Sequence, residues 1–398
     1  MNFTSELKTA LKKRSLIAIA TMCFFWSVSS LMVFSILPVF MTEELGITPL
    51  ELGWIEGIAV SLAFGAKILS GVLSDYIKQR RILLVIGTAT SLILKSLFAL
   101  ATNGFSIFIA RSMDRLAKGV RSAPVDALIA DLYPKENHGM SYGLRQFFYI
   151  MGSVVGSLIA AILLECCHDY RLVFWCSLIP VSFALIIVVF FVRDAPTHIY
   201  GKASNFEWHW QDLKRLPQSF WHIIMVSSVL MLTRFSDSFL SLKAREIGMS
   251  IAVLPLLMMG YELMHAFMSL PIGWLADRMH RKKLLMTGII VLMLANTVMI
   301  SASSPSLVLL GYLMAGMYMG ITQSLMSTLI AENTCAHLRG SAFSIYYFTT
   351  GVSILIANLL AGYSSYHYQS ASAPFYGGLF FSIIAGILLL ALVRKVEK

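Results

Sequence analysis

Six ionised side chains crowd one span-length stretch of an otherwise apolar chain. Arg111, Asp114, Arg115, Lys118, Arg121 and Asp126 all fall between residues 106 and 130. At about 100° per residue the first four share roughly 100° of a helix surface, with Arg121 just beside them. Ser112, Met113, Leu116, Ala117 and Val120 take the other faces. Ionised groups are costly in lipid, so they face a bundle interior or a watery cavity and mark the route of a solute or ion. Arginine grips carboxylate or phosphate through paired hydrogen bonds. This stretch points to a transporter that handles negative charge, with Arg111, Arg115 and Lys118 as substrate contacts. The alternative is an ion-pair cluster closed with Glu56 and Arg145.

A second stripe joins Arg234, Asp237, Ser238, Ser241 and Arg245 on one helical face. Arg234 and Asp237 lie near mid-depth and either bind a solute or pair with each other. Lys243 and Arg245 sit near a span end, where long side chains snorkel. Lys67 and Glu56 share one side of the second span, and Lys67 is expected to face a cavity. Lys95 is expected to snorkel or pair. Glu262 and His265, at i and i+3, form a couple able to exchange a proton near neutral pH, or a satisfied structural pair. Asp237, Asp114 and Glu56 are rivals for proton coupling. Tyr312, Gln323 and Trp26 offer hydrogen bonds or stacking to a substrate, although lone aromatics in spans are usually packing. The 22 methionines fit adaptable packing and not metal binding.

These residues are positioned by helices that cross a membrane. Of the 398 residues 57% are hydrophobic and 13% charged, against about 25% charged in a soluble protein. Apolar stretches recur near 15–41, 51–75, 82–101, 106–130, 140–164, 172–192, 220–245, 251–276, 284–302, 306–331, 341–363 and 374–393. That is twelve spans. Within them stand ten cations against five anions, an excess that an anionic ligand would neutralise. The first 14 residues are polar and basic, and the run after them is too long for a cleavable signal. The cysteines show no CxxC spacing, which leaves out a thiolate metal site.

The net charge of +10 does not imply a nucleic-acid partner, because its distribution is that of a membrane protein. Basic residues collect in alternate turns: the N-terminus, 76–81, 193–219, 277–283 and the C-terminus. That pattern expects both termini in the cytoplasm. The polar stretch 193–219 reads as a cytoplasmic linker between six-span units at 1–192 and 220–398.

The two units echo each other. Gly71-Val-Leu-Ser-Asp75 before Arg80 and Arg81 matches Gly273-Trp-Leu-Ala-Asp277 before Arg281 and Lys282, at an offset of 202. Leu128-Ile-Ala-Asp131 matches Leu329-Ile-Ala-Glu332, at an offset of 201. A duplicated six-helix unit follows. The six charges of the fourth span meet Tyr312, Ala315, Gly316, Met319, Thr322 and Ser327 at the second offset. None is mirrored, so the stripe looks like function imposed on the fold.

The repeated G-x-L-[SA]-D turn with its trailing basic residues resembles the hallmark loop of the major facilitator superfamily, and Arg111 matches that family's basic residue in span four. The resemblance covers the whole chain. It implies an all-α fold of twelve transmembrane helices in two pseudo-symmetric six-helix bundles, with spans one, four, seven and ten lining the cavity. It also implies a gating latch of Asp75, Arg80, Arg81, Asp277, Arg281 and Lys282, the alternative being topology and helix-end solvation alone, while Arg121 and Asp126 suit latch roles by their place toward the cytoplasmic side. Lys78 and His280 depart from the motif's usual small residue. Gly152-Ser-Val-Val-Gly156 lacks the Gly-Pro pair of drug antiporters. The expectation is a monomeric secondary transporter in a bacterial inner membrane, without cofactor or metal. It would import an anionic organic solute with protons, the solute being a polycarboxylate, a carboxylate-type metal chelate or an organophosphate. The rivals are an efflux transporter for amphiphilic compounds and a binding-only receptor or scaffold. No nucleophile–base set or phosphate loop supports an enzyme.

Overall fold

The computed structural model describes residues 14–77, 79–132, 138–194, 216–276, 279–334 and 339–392. Among them there are helices and turns and no strand. In chain order they are α1 (Arg14–Phe34), α2 (Leu37–Val39), a π-helical turn (Phe40–Glu44), α3 (Pro49–Ile77), α4 (Arg80–Leu100), α5 (Gly104–Leu132), α6 (His138–Cys167), α7 (Tyr170–Cys176), α8 (Leu178–Phe190), α9 (Gln218–Met231), α10 (Ser238–Glu246), α11 (Val253–Ala276), α12 (Arg281–Ser301), α13 (Pro305–Glu332), α14 (Arg339–His367) and α15 (Ala373–Leu392). They map onto the twelve spans, with α1–α2, α7–α8 and α9–α10 each splitting one.

Nine of these segments are long and apolar enough to cross a membrane. Of the other three, α5 carries the charged stripe, α9–α10 is broken, and α11 has a shorter described apolar stretch. In α5 and in α9–α10, charge and an irregular backbone respectively stand in the span.

Two compact units emerge. One comprises Met1–Ile36 and Leu62–Phe206, the other Leu37–Ser61 and Glu207–Lys398. In the first, α6 lies so close along α1 that a Cβ on Gly152 or Gly156 would strike the Phe24 or Val28 carbonyl. Small residues let membrane helices approach in this way.

Glycine crossings also repeat between units. A Cβ on Gly119 would lie 2.6 Å from the Ala63 carbonyl oxygen and 2.6 Å from the Ala66 Cβ. A Cβ on Gly320 would lie 2.6 Å from the His265 carbonyl oxygen and 2.7 Å from the Met268 Cβ. These are repeat-equivalent positions, so α5 crosses α3 as α13 crosses α11.

Two of the splits have local causes. After Phe34 the Ser35 hydroxyl folds back onto the Leu31 carbonyl at 2.6 Å. Pro38 then has no N–H to continue the ladder. Between α9 and α10 the chain reads Leu232-Thr-Arg-Phe-Ser-Asp237, short polar side chains that compete for backbone partners. The Ser236 N–H leaves the ladder and donates to Asn358 Oδ1 on α14 at 2.9 Å. The Ser236 and Ser238 hydroxyls bond at 2.9 Å. The continuous helix expected over 220–245 is therefore two half-helices. Arg234 and Asp237 stand in the break, and only Ser238, Ser241 and Arg245 share α10.

Candidate functional site

In the first unit, three cations converge on one ring. The Arg111 Cζ lies 4.0 Å from the Phe34 centroid, the Lys95 Nζ 5.1 Å and the Arg115 Cζ 5.2 Å. A ring face attracts cations electrostatically, more strongly when both are desolvated. Lys95 is 1% exposed and donates to the Ser29 carbonyl at 3.1 Å, so it is a core residue and does not snorkel. Asp114, also 1% exposed, accepts the Ser91 hydroxyl at 3.1 Å. Lys95, Arg121, Arg111 and Arg115 surround it electrostatically. One carboxylate thus answers several cations.

Along the same helix, Lys118 is half-buried and makes no hydrogen bond or ion pair among the described residues. It lies 14 residues into the 29 of α5, about 21 Å along it and hence at its middle. Gly119 follows it, and the chain of Lys67 passes that glycine. Lys67 is half-buried and has its own contacts.

Further along, the charges turn to one another. Arg121 stacks over Trp26 at 4.8 Å and donates to the Gly87 carbonyl at 3.5 Å. The Trp26 indole donates to Thr88 Oγ1 at 3.0 Å, which makes Trp26 packing. Asp126 accepts Arg145 at 2.6 Å, and its carbonyl accepts the Tyr142 hydroxyl at 2.7 Å. Glu56 is buried and belongs to the second unit.

Of the expected latch, Arg81 staples α4 to the end of α8. Its N–H donates to Asp194 Oδ1 at 2.9 Å and its guanidinium to the Val189 carbonyl. Arg80 is buried, and Arg281 and Lys282 are half-buried at the start of α12. Asp75 and Asp277 lie outside the residues whose side chains are described.

In the second unit Arg234 occupies the α9–α10 break. Its guanidinium makes no hydrogen bond or ion pair among the described residues. It acts electrostatically on the buried phenols of Tyr261, Tyr318 and Tyr346, from α11, α13 and α14. Asp237 is exposed. Tyr312, wholly buried, hydrogen-bonds Ser241 at 3.2 Å, and Gln323 is exposed on α13. His265 Nδ1 lies 3.6 Å from Glu262 Oε2 on half-buried side chains of α11. Sequence reasoning did not single out Phe34, Tyr261, Tyr318 or Tyr346. Among the described residues no three His, Cys, Asp or Glu side chains gather as metal ligands.

The model of the Major Facilitator Superfamily matches residues 17–242 and 228–398. The chain belongs to that superfamily. It is 27% identical over 374 residues, 92% of each chain, to an uncharacterised MFS-type transporter of Methanocaldococcus jannaschii. Among solved structures it resembles a D-xylose-proton symporter, at a TM-score of 0.74 and 14% identity over 96% of this chain and 98% of that one. It also resembles an inward-facing, occupied bacterial homologue of the lysosomal transporter Spinster, at 0.76 and 12% over 95% and 96%. At such identities the structures speak to fold alone. This superfamily member is thus a multi-pass membrane transporter of small molecules that works by alternating access.

Proposed function

We propose that the protein moves an anionic organic solute, with Lys118 in the first unit and Arg234 in the second each, within its own unit, a cation that such a solute would neutralise. The carrying observation is that both stand near mid-span with no protein hydrogen bond or ion pair among the described residues. A cation without a partner in a membrane interior is unfavourable unless a ligand neutralises it. The cations on Phe34 extend the positive field around Lys118. Polycarboxylates, carboxylate-type metal chelates and organophosphates fit the donors. Proton-coupled import is the direction we favour. Glu262 and His265 are the proton-carrying pair, close enough to share a proton through a small shift or a water. Asp114 serves to hold the cations. The basic turns support a reading with both termini in the cytoplasm, and our reading takes the membrane as a bacterial inner membrane and the working unit as a monomer.

Thermal unfolding of the purified protein against anionic, neutral and lipophilic cationic solutes tests this reading. Ligands that bind the folded state raise its melting temperature by mass action. Stabilisation by one anion class, weakened about tenfold or more in Lys118→Ala and Arg234→Ala, is expected. Both variants should melt close to the parent without ligand, because neither side chain makes a hydrogen bond or ion pair among the described residues. Stabilisation by lipophilic cations alone, unchanged in the variants, would replace this reading with amphiphile efflux.

A further inference from the structure

Asn358 stands where the break that carries Arg234 meets a helix of the first repeat. It lies on α14 and is wholly buried. An amide inside a membrane span is costly unless its polar atoms are bonded. Its Nδ2 donates to the Ile354 carbonyl, one turn back, at 2.8 Å. Its Oδ1 accepts the Ser236 N–H at 2.9 Å. One partner is an acceptor and the other a donor, so only one orientation of the amide satisfies both.

Ser236 is held on every side. Its carbonyl accepts the Phe239 N–H at 3.1 Å, which starts α10, and its hydroxyl bonds that of Ser238 at 2.9 Å. Arg234 is two residues away in the same loop. The bond from Asn358 therefore fixes where this loop lies.

Asn358 is also where α3 meets α14, inside the second unit. A Cβ on Gly53 would strike the Asn358 carbonyl, and one on Gly57 would lie 3.2 Å from the Asn358 Cβ. Backbones packed this closely transmit a shift and do not absorb it. Alternating access exchanges contacts between repeats, and this contact joins the first repeat to the second. One residue thus touches both the contact that changes and the loop that holds the cation.

We propose that Asn358 is a positioning residue that ties the α9–α10 break, and Arg234 with it, to the α3–α14 contact. Release of α3 then loosens the loop that meets the solute, and a bound solute in turn favours α3 in place. The consequence for the solute rests on the anion-transport reading, whereas the tie itself rests on the hydrogen bonds and the glycine packing.

The tie is tested without ligand on the full chain in detergent, with the five native cysteines replaced. Thr233 is 4% exposed at the break, so maleimide labelling of Thr233→Cys reads how often the loop opens. Adding Gly57→Ala, which presses on Asn358 and not on the loop, should speed labelling about two- to tenfold, the span of one hydrogen bond. Asn358→Leu should speed it as much by itself and leave Gly57→Ala with no further effect. Asn358→Asp keeps an oxygen for the Ser236 N–H and should restore the response to Gly57→Ala. A rate that Gly57→Ala leaves unchanged overturns the tie, and that arm needs no change at residue 358. Effects that simply multiply in the double variant overturn it as well, since they would mean two independent losses of packing. Thermal stabilisation by citrate, succinate and glycerol phosphate forms the second arm. Any of them that stabilises the parent should bind about two- to tenfold more weakly in Asn358→Leu and regain affinity in Asn358→Asp. Equal binding in all three would cut the tie from the solute. Should none stabilise the parent, the anion reading falls and the labelling arm still decides the tie.

Discussion

Phe34 shows how one apolar side chain organises charge. Arg111, Lys95 and Arg115 share its ring within 5.2 Å, while Asp114 is the buried carboxylate among them. Each cation–ring contact contributes about 0.5–2 kcal/mol, and contacts sharing one ring do not add fully. Phe34→Leu keeps an apolar side chain and removes the ring face. It should destabilise the ligand-free protein by about 1–3 kcal/mol, whereas Phe34→Tyr should sit near the parent. Thermal unfolding measures both, and equal melting of parent and Leu variant would remove the ring from the account. The charges themselves were legible in the sequence, because an ionised group in an apolar span is rare. Phe34 was not, being one of 25 phenylalanines whose meaning depends on what packs over it. Lys95 was visible but ambiguous, since spacing along one helix does not separate a buried ammonium from a snorkelling one.

At the scale of helices, the repeat is carried by glycines as much as by the loop motif. Gly119 against Ala63 and Ala66 recurs as Gly320 against His265 and Met268. The six charges of the α5 stripe have no counterparts. Geometry needed twice was duplicated, and chemistry needed once was not. Gly119→Leu and Gly320→Leu should each destabilise by about 1–3 kcal/mol or more, because backbone atoms cannot yield to a Cβ. Gly65→Leu is the control, since nothing lies within 4 Å of a Cβ there. Monodispersity and melting temperature after purification measure the difference, and equal tolerance at all three positions would contradict the close crossings. The twelve spans followed from apolar length, and the loop motif gave the repeat. The α9–α10 break escaped because apolar periodicity runs through it. Its one visible signal was the run Thr233, Ser236, Asp237 and Ser238, whose side chains compete with a helical backbone.

At the scale of the molecule, alternating access requires contacts between the two six-helix repeats to exchange. Residues 37–61 come from the first repeat, yet they pack in the unit built by the second. Glu43 pairs with Arg245 at 2.6 Å, the Ser61 hydroxyl donates to the Gly351 carbonyl at 2.8 Å, and Gly53 lies against Asn358 and Gly362. The ion pair is the part of this seam that is easiest to break, because both side chains are partly exposed, at 29% and 37%. A pair of that kind contributes about 0.2–1 kcal/mol, enough to shift a two-state population about 1.4- to fivefold. With the five native cysteines replaced, a Ser61→Cys reporter should therefore react with maleimide about 1.4- to fivefold faster when Glu43→Gln or Arg245→Gln is added. The charge swap Glu43→Arg with Arg245→Glu should return the rate toward the parent, because it restores the attraction and leaves the glycine packing untouched. A rate indifferent to all three would mean that the seam holds without the ion pair, and the control of opening would pass to the helix crossing at Gly53.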